Sequence, residues 1–207
     1  MTKARLEAFT DAILAIIMTL LVLELQMPRS ASWVALWDIR EEFLIYSMGF
    51  FFLAIYWVNH HHMLQLVETI NGSILWSNIV MLFFMSLVPF ATKWVGAHML
   101  SFVPCMCYGL LFLLINISYA LLSSVLLAAH DHESVYRHVF ANDSRMTITL
   151  LISLVSLTAG FIHPSLILLG EMGVAGVNIV PSKHVEKCLN DGQCEWQAPE
   201  DTKNNRE

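Results

Sequence analysis

The chain has 207 residues, 57% hydrophobic and 14% charged, with a mean hydropathy of +0.61 and a formal net charge of −6. Soluble domains carry about 25% charged residues; this chain has too little charge to cover a globular surface, and lipid is its expected solvent. It has no basic patch or stripe, which argues against nucleic acid as a partner. It also has no nucleophile–base pair, glycine-rich phosphate loop or carboxylate pair that would suggest an enzyme.

A helix needs roughly 20 apolar residues to cross a bilayer, and the sequence predicts six such spans in an all-α membrane protein. The first runs from Arg5 to Leu25 and stops at Met27-Pro28. It carries Glu7 and Asp11 and lacks a small-x-small cleavage site, so it reads as a retained helix rather than a secretory signal. The second runs from Glu42 to Asn59, the third from Ser73 to Trp94 with a kink expected at Pro89, and the fourth from Phe102 to Ala129. The fifth, Met146 to His163, and the weaker sixth, Ser165 to Val180, pair as a helical hairpin across His163-Pro164.

Six spans place both termini on one side, with Lys3, Arg5, Arg137, Arg145, Lys183, Lys187, Lys203 and Arg206. Only Arg29, Arg40 and Lys93 lie opposite, so the positive-inside rule puts both termini in the cytoplasm of a multi-pass cell-membrane protein. Residues 1–181 form the transmembrane unit, and 182–207 form a polar tail expected to be poorly ordered. Cys105 and Cys107 sit in an apolar run as small hydrophobes. Cys188 and Cys194 read as free thiols of a reducing compartment, with pairing as the alternative.

The first span is the most informative. At about 100° per residue, Ile16, Leu20 and Leu23 share one narrow stripe with Thr19 beside it. Arg5 and Phe9 lie near that stripe one or two turns below. Asp11 lies roughly opposite and is expected to point toward other helices of the same chain. By periodicity alone the stripe reads as a surface facing lipid or another helix.

Ionisable groups in a span are expensive. Arg5 and Asp11 are therefore expected to belong to a structural network at the helix base with Phe9, Thr10, Trp57, Asn59, His60 and His61. In this reading Asn59 and one or two histidines satisfy Asp11 and Arg5. The run His60-His61-His62 also suggests a metal site, but adjacent helical residues point about 100° apart, whereas ligands want i, i+3 or i+4 spacing. No metal or other cofactor is expected. Ser77, Asn78, Ser86, Asn116, Ser118, Ser153 and Ser156 are candidates for hydrogen bonds between helices. Glu171 is anomalous: it faces the cytoplasm or a polar partner, or it marks a segment that is not fully embedded.

The pattern Arg5-x-x-x-Phe9-Thr10-Asp11 resembles the signature of the transmembrane protein 175 family of potassium channels, with threonine where serine is commonest. Thr19 to Glu24, Tyr56 to His61 and Ser86 to Phe90 are also similar to the family. The resemblance covers about the first hundred residues.

It implies a homotetramer with one six-helix unit per chain, in which the first helix of each subunit lines the pore and K⁺ is the permeant ion. Aligned from the aspartate, the hydrophobic constriction falls on Ile16, Leu20 and Leu23, and the adjacent hydroxyl on Thr19. A ring of aliphatic side chains makes an ion shed part of its hydration, which costs K⁺ less than Na⁺, and such a ring can close by dewetting. Glu24 reads either as an acid that concentrates cations at the pore entrance or as an ordinary interfacial acid. No span carries an arginine series, so leak-like conduction without voltage gating is expected. The alternative reading is a proton-coupled cation or metal transporter using His60 to His62.

Overall fold

The computed structural model describes residues 2–67, 69–130 and 144–179. Eight helices appear among them: α1 (Lys3–Leu23), α2 (Trp33–Asp38), α3 (Arg40–Gln65), α4 (Gly72–Ser86), α5 (Val88–Ala97), α6 (Phe102–Ala129), α7 (Arg145–Ala159) and α8 (Ser165–Ile179). Four stretches are long and apolar enough to cross a membrane: α1, α3, α4 with α5, and α6, with mean hydropathies of 2.1, 1.3, 2.0 and 2.3. The expected tail at 182–207, Cys188 and Cys194 lie outside the described residues.

The departures from the expected spans are local. The second helix continues to Gln65, so His60, His61 and His62 sit inside its last turns rather than beyond its end. The third span is two helices, and its break comes at Leu87 rather than at Pro89. A proline cannot donate to the carbonyl four residues earlier, and its ring clashes with that carbonyl. Disruption by Pro89 therefore reaches back along the preceding turn, and Pro89 sits in the first turn of α5, where its missing N–H costs nothing. α7 and α8 have 15 residues each, about 22 Å of helix against a hydrocarbon core of about 30 Å.

Helix ends are fixed by side chains. Asn71 accepts from Ile74 N at 3.0 Å to cap α4, and Ser32 accepts from Ala35 N at 3.2 Å to cap α2. Lys3 Nζ donates to Gln65 O at 2.8 Å. This places a cation on the carbonyl end of α3, where its dipole is negative, and ties the start of α1 to it.

α1 packs against α3, α4 and α5, and α6 packs against α4, α5, α7 and α8. The core is aliphatic and aromatic, with Phe52, Phe112 and Tyr108 at its centre: the rings of Phe52 and Phe112 lie 4.0 Å apart, and those of Tyr108 and Phe112 4.5 Å apart.

The α7–α8 hairpin expected at His163-Pro164 is present, closed by His163 Nδ1 and the Ser165 hydroxyl at 2.6 Å. Its helices touch through small residues, the packing that lets backbones approach in lipid. A Cβ on Gly170 would collide with Cβ of Ser156. Gly170→Ala is therefore expected to force the hairpin apart at a cost of about 1–3 kcal/mol, seen as a lower melting temperature in detergent. An unchanged melting temperature would mean the hairpin yields freely.

Candidate functional site: the first helix and its support

α1 has two unlike faces. Leu6, Thr10, Leu14, Ile17 and Leu21 recur at helical spacing and are buried against the rest of the chain. Ile16, Leu20 and Leu23 are 60%, 43% and 72% exposed. Thr19 is exposed beside them, and its hydroxyl donates to Ala15 O at 2.8 Å. That bond uses the hydroxyl hydrogen and leaves the oxygen lone pairs of an exposed side chain free to accept. Phe9 and Arg5 are exposed one to three turns below. The stripe predicted from periodicity is thus an open aliphatic surface of the single chain.

The network at the helix base differs in its pairings from the expected one. Asp11 does point toward a neighbouring helix of the same chain, but its partner is Trp57, whose Nε1–H donates to Oδ1 at 2.8 Å. Trp57 in turn stacks on His61 at 6.0 Å, and His61 Nε2 accepts from Gln65 at 2.8 Å. Asn59 does not reach Asp11; it donates to Asn178 O at 3.1 Å and ties α3 to α8. The Arg5 guanidinium has no hydrogen-bond or ion-pair partner among the described residues, although its backbone N–H donates to Thr2 O at 3.1 Å.

The deepest polar contacts belong to Thr10 and not to Asp11. Asn78 Nδ2 donates to Thr10 Oγ1 at 2.9 Å, and Asn78 Oδ1 meets His60 Nε2 at 2.9 Å. All three residues are buried. An amide oxygen only accepts, so His60 Nε2 carries the hydrogen. The chain Thr10–Asn78–His60 joins α1, α4 and α3 in the core and fixes the rotation of α1. Asn78 belongs to the site, whereas the sequence alone groups it with the general interhelical polar residues; its sequence signal is that it is the one amide in α4.

Glu24 is not a free acid. Its Oε2 lies 2.6 Å from Lys93 Nζ at the C-terminal end of α1, and both side chains are partly exposed. Such a pair is worth about 0–1 kcal/mol, but it cancels much of the field Glu24 would present to a cation. His60 and His61 turn to different partners, and the His61 and His62 rings lie 5.9 Å apart. His60 faces Asn78, His61 faces Trp57 and Gln65, and no group of three His, Cys, Asp or Glu among the described residues could hold a metal.

Fold and site together define a multi-pass helical membrane protein whose first helix is locked to the core on one face and left open on another. The family profile described as endosomal/lysosomal potassium channel TMEM175 matches residues 5–89. A potassium channel of Chryseobacterium sp. is 37% identical over 191 residues, covering 92% of this chain and 100% of that protein. A potassium channel of Streptomyces collinus is 29% identical over 101 residues, covering 47% of this chain and 49% of its own. The crystal structure of a lysosomal potassium-selective channel TMEM175 homolog from Chamaesiphon minutus superposes with a TM-score of 0.76 at 24% identity, over 86% of this chain and 96% of that one. The chain belongs to the TMEM175 family of potassium channels.

Proposed function

We propose that this protein is a potassium-selective, leak-like channel in the cell membrane. Its pore is enclosed by α1 from four copies, with Ile16, Leu20 and Leu23 as the constriction and Thr19 beside it. The observation that carries the reading is the split character of α1. The share of its most apolar window buried within the chain, 28%, is the lowest of the four spanning stretches, just below the 33% of α3, yet its core face is fully packed. An aliphatic stripe that the chain itself leaves uncovered, next to an outward hydroxyl, fits a helix that meets copies of itself around an axis. One copy cannot enclose a path, so conduction requires an oligomer.

Kinship with potassium channels favours K⁺ as the permeant ion, and the dehydration argument supplies the preference over Na⁺. In the assembled channel all six apolar segments cross the membrane, α7 and α8 by virtue of bilayer thinning around short helices, and both termini face the cytoplasm. The transporter reading finds no support, because His60 is occupied in the α1–α3–α4 network and no group of three among the described residues could hold a metal.

The test is the reversal potential of the purified full-length protein in planar bilayers under opposed K⁺ and Na⁺ gradients, with chemical cross-linking of the same sample. A reversal shifted toward the K⁺ equilibrium potential and a ladder ending at four subunits are expected. A well-folded protein that passes no current, or proton-coupled uptake that saturates, would overturn the proposal.

A further inference from the structure

One face of α3 begins at a charged pair and continues into an apolar slot. Arg40, Leu44, Met48, Phe51, Ile55 and Val58 recur at intervals of three or four residues and so share that face. The last five line a cavity of about 530 Å³, walled on the other side by α8 and floored by Tyr108 and Phe112 of α6. From Leu44 to Val58 the strip is about 21 Å long at the helical rise per residue. That exceeds half of a hydrocarbon core of about 30 Å, so it takes the tail of a lipid from one leaflet. Leu44, Phe51, Met172 and Ile179 are well exposed along the slot, which therefore opens sideways to the membrane. At the end away from Arg40, Asn59 ties α3 to α8 by donating to Asn178 O at 3.1 Å.

The slot offers an occupant no polar contact. Ser47 Oγ donates to Phe43 O at 2.8 Å, and Asn178 Nδ2 donates to Thr149 Oγ1 at 2.9 Å and Val174 O at 2.8 Å. Glu171 borders the slot, but its carboxyl oxygens are buried away from the surface. The charge stands at the other end of the strip. The Arg40 guanidinium lies 5.6 Å from the centroid of Trp37, a residue type that marks the membrane–water boundary. One of its nitrogens donates to Trp37 O at 3.1 Å, and another lies 3.3 Å from Glu41 Oε1 in an exposed ion pair. A guanidinium has five N–H donors, so Arg40 keeps donors to spare. An ion pair so exposed holds weakly and presents a cation beside an anion.

We propose that this strip is a binding site for a zwitterionic phospholipid, with one acyl chain in the α3–α8 slot, the phosphate on Arg40 and the ammonium on Glu41. An acyl chain fills an apolar slot of this length and leaves no polar group of its own unpaired. Arginine binds phosphate through parallel charge-assisted N–H bonds. The neighbouring carboxylate then meets the headgroup ammonium, so the side-by-side charges of Arg40 and Glu41 are answered by those of the lipid. An anionic headgroup would have no charge to offer Glu41, and a lipid without a headgroup would leave Arg40 unused. No residue of α1 lines the slot, and the proposal needs only that α3 crosses a membrane, so it stands or falls separately from the channel reading.

The experiment irradiates the full chain in dodecyl maltoside with phosphatidylethanolamine bearing a diazirine in one acyl chain, and maps the cross-linked peptides by mass spectrometry. Phosphatidylglycerol and diacylglycerol with the same chains are the comparisons, and the exposed apolar face of α7 at Leu151 and Val155 gives the level of unspecific labelling. Wild type is expected to be labelled on the slot residues of α3 and α8 by phosphatidylethanolamine at least about fivefold more than by either comparison lipid. Arg40→Gln is expected to bring that labelling down to the diacylglycerol level. A Cβ on Gly176, a lining residue, meets nothing within 4 Å, so Gly176→Phe is expected to fold and to lose slot labelling by occupying the space. Slot labelling no higher than that of α7, equal labelling by phosphatidylethanolamine and diacylglycerol, stronger labelling by phosphatidylglycerol, or an undiminished signal in Arg40→Gln would each overturn the proposal. Should Arg40→Gln fail to fold, the order of the three lipids on wild type and the loss in Gly176→Phe still decide.

Discussion

Ile16→Asn is expected to bring the reversal potential under opposed K⁺ and Na⁺ gradients close to zero while raising conductance. Ile16 is 60% exposed on the face of α1 that the chain leaves open, so the substitution removes no core contact and the protein should assemble. What changes is the solvent property of the proposed ring. An aliphatic ring offers no ligand to replace lost water, so ions pass in proportion to how easily they dehydrate, and the narrowest zone is prone to dewetting. Four carboxamides offer oxygens and keep the zone wet, which removes both the dehydration difference and the barrier. A drop of a few-fold in K⁺ preference corresponds to less than about 1.4 kcal/mol per channel, within reach of one ring. Selectivity and conductance both unchanged in a folded oligomer would place the filter elsewhere. Leu20→Asn and Leu23→Asn, read in the same way, would then locate it.

Asn78→Leu is expected to lower stability more than any single change on the open face of α1. Leucine has the branched shape of asparagine but is bulkier, so some overpacking adds to the main damage, two buried groups left without partners, Thr10 Oγ1 and His60 Nε2. Interhelical hydrogen bonds in membrane proteins average about 0.6 kcal/mol and reach about 1.7, so losing two costs roughly 1–3 kcal/mol. Thermal unfolding of the detergent-solubilised protein measures this. Pairing Asn78→Leu with Thr10→Val in a double-mutant cycle isolates the shared term, and a coupling near zero would show that the network does not hold α1. If α1 is rotationally loosened, the reversal potential should also drift, although neither residue touches the open face.

The sequence by itself determined the solvent, the helical class and the two faces of α1. Low charge with long apolar runs leaves lipid as the solvent and closed backbone hydrogen bonding as the only way to cross it, and a period of 3.6 residues fixes which side chains share a face. That is why Ile16, Leu20 and Leu23 could be grouped, Asp11 set apart from them, and the turn at His163-Pro164 recognised before any fold was known.

Periodicity gives an angle around one helix axis but not the neighbour found at that angle. So the tertiary structure alone decided that Trp57 and not Asn59 meets Asp11, and that Thr10 pairs with a residue 68 positions away. It also decided that Glu24 meets Lys93, and that Glu171 is buried within the bundle. Each of these depends on the relative rotation and depth of two helices. Those are set by many weak packing contacts distributed over the whole bundle, and no local stretch of sequence encodes them.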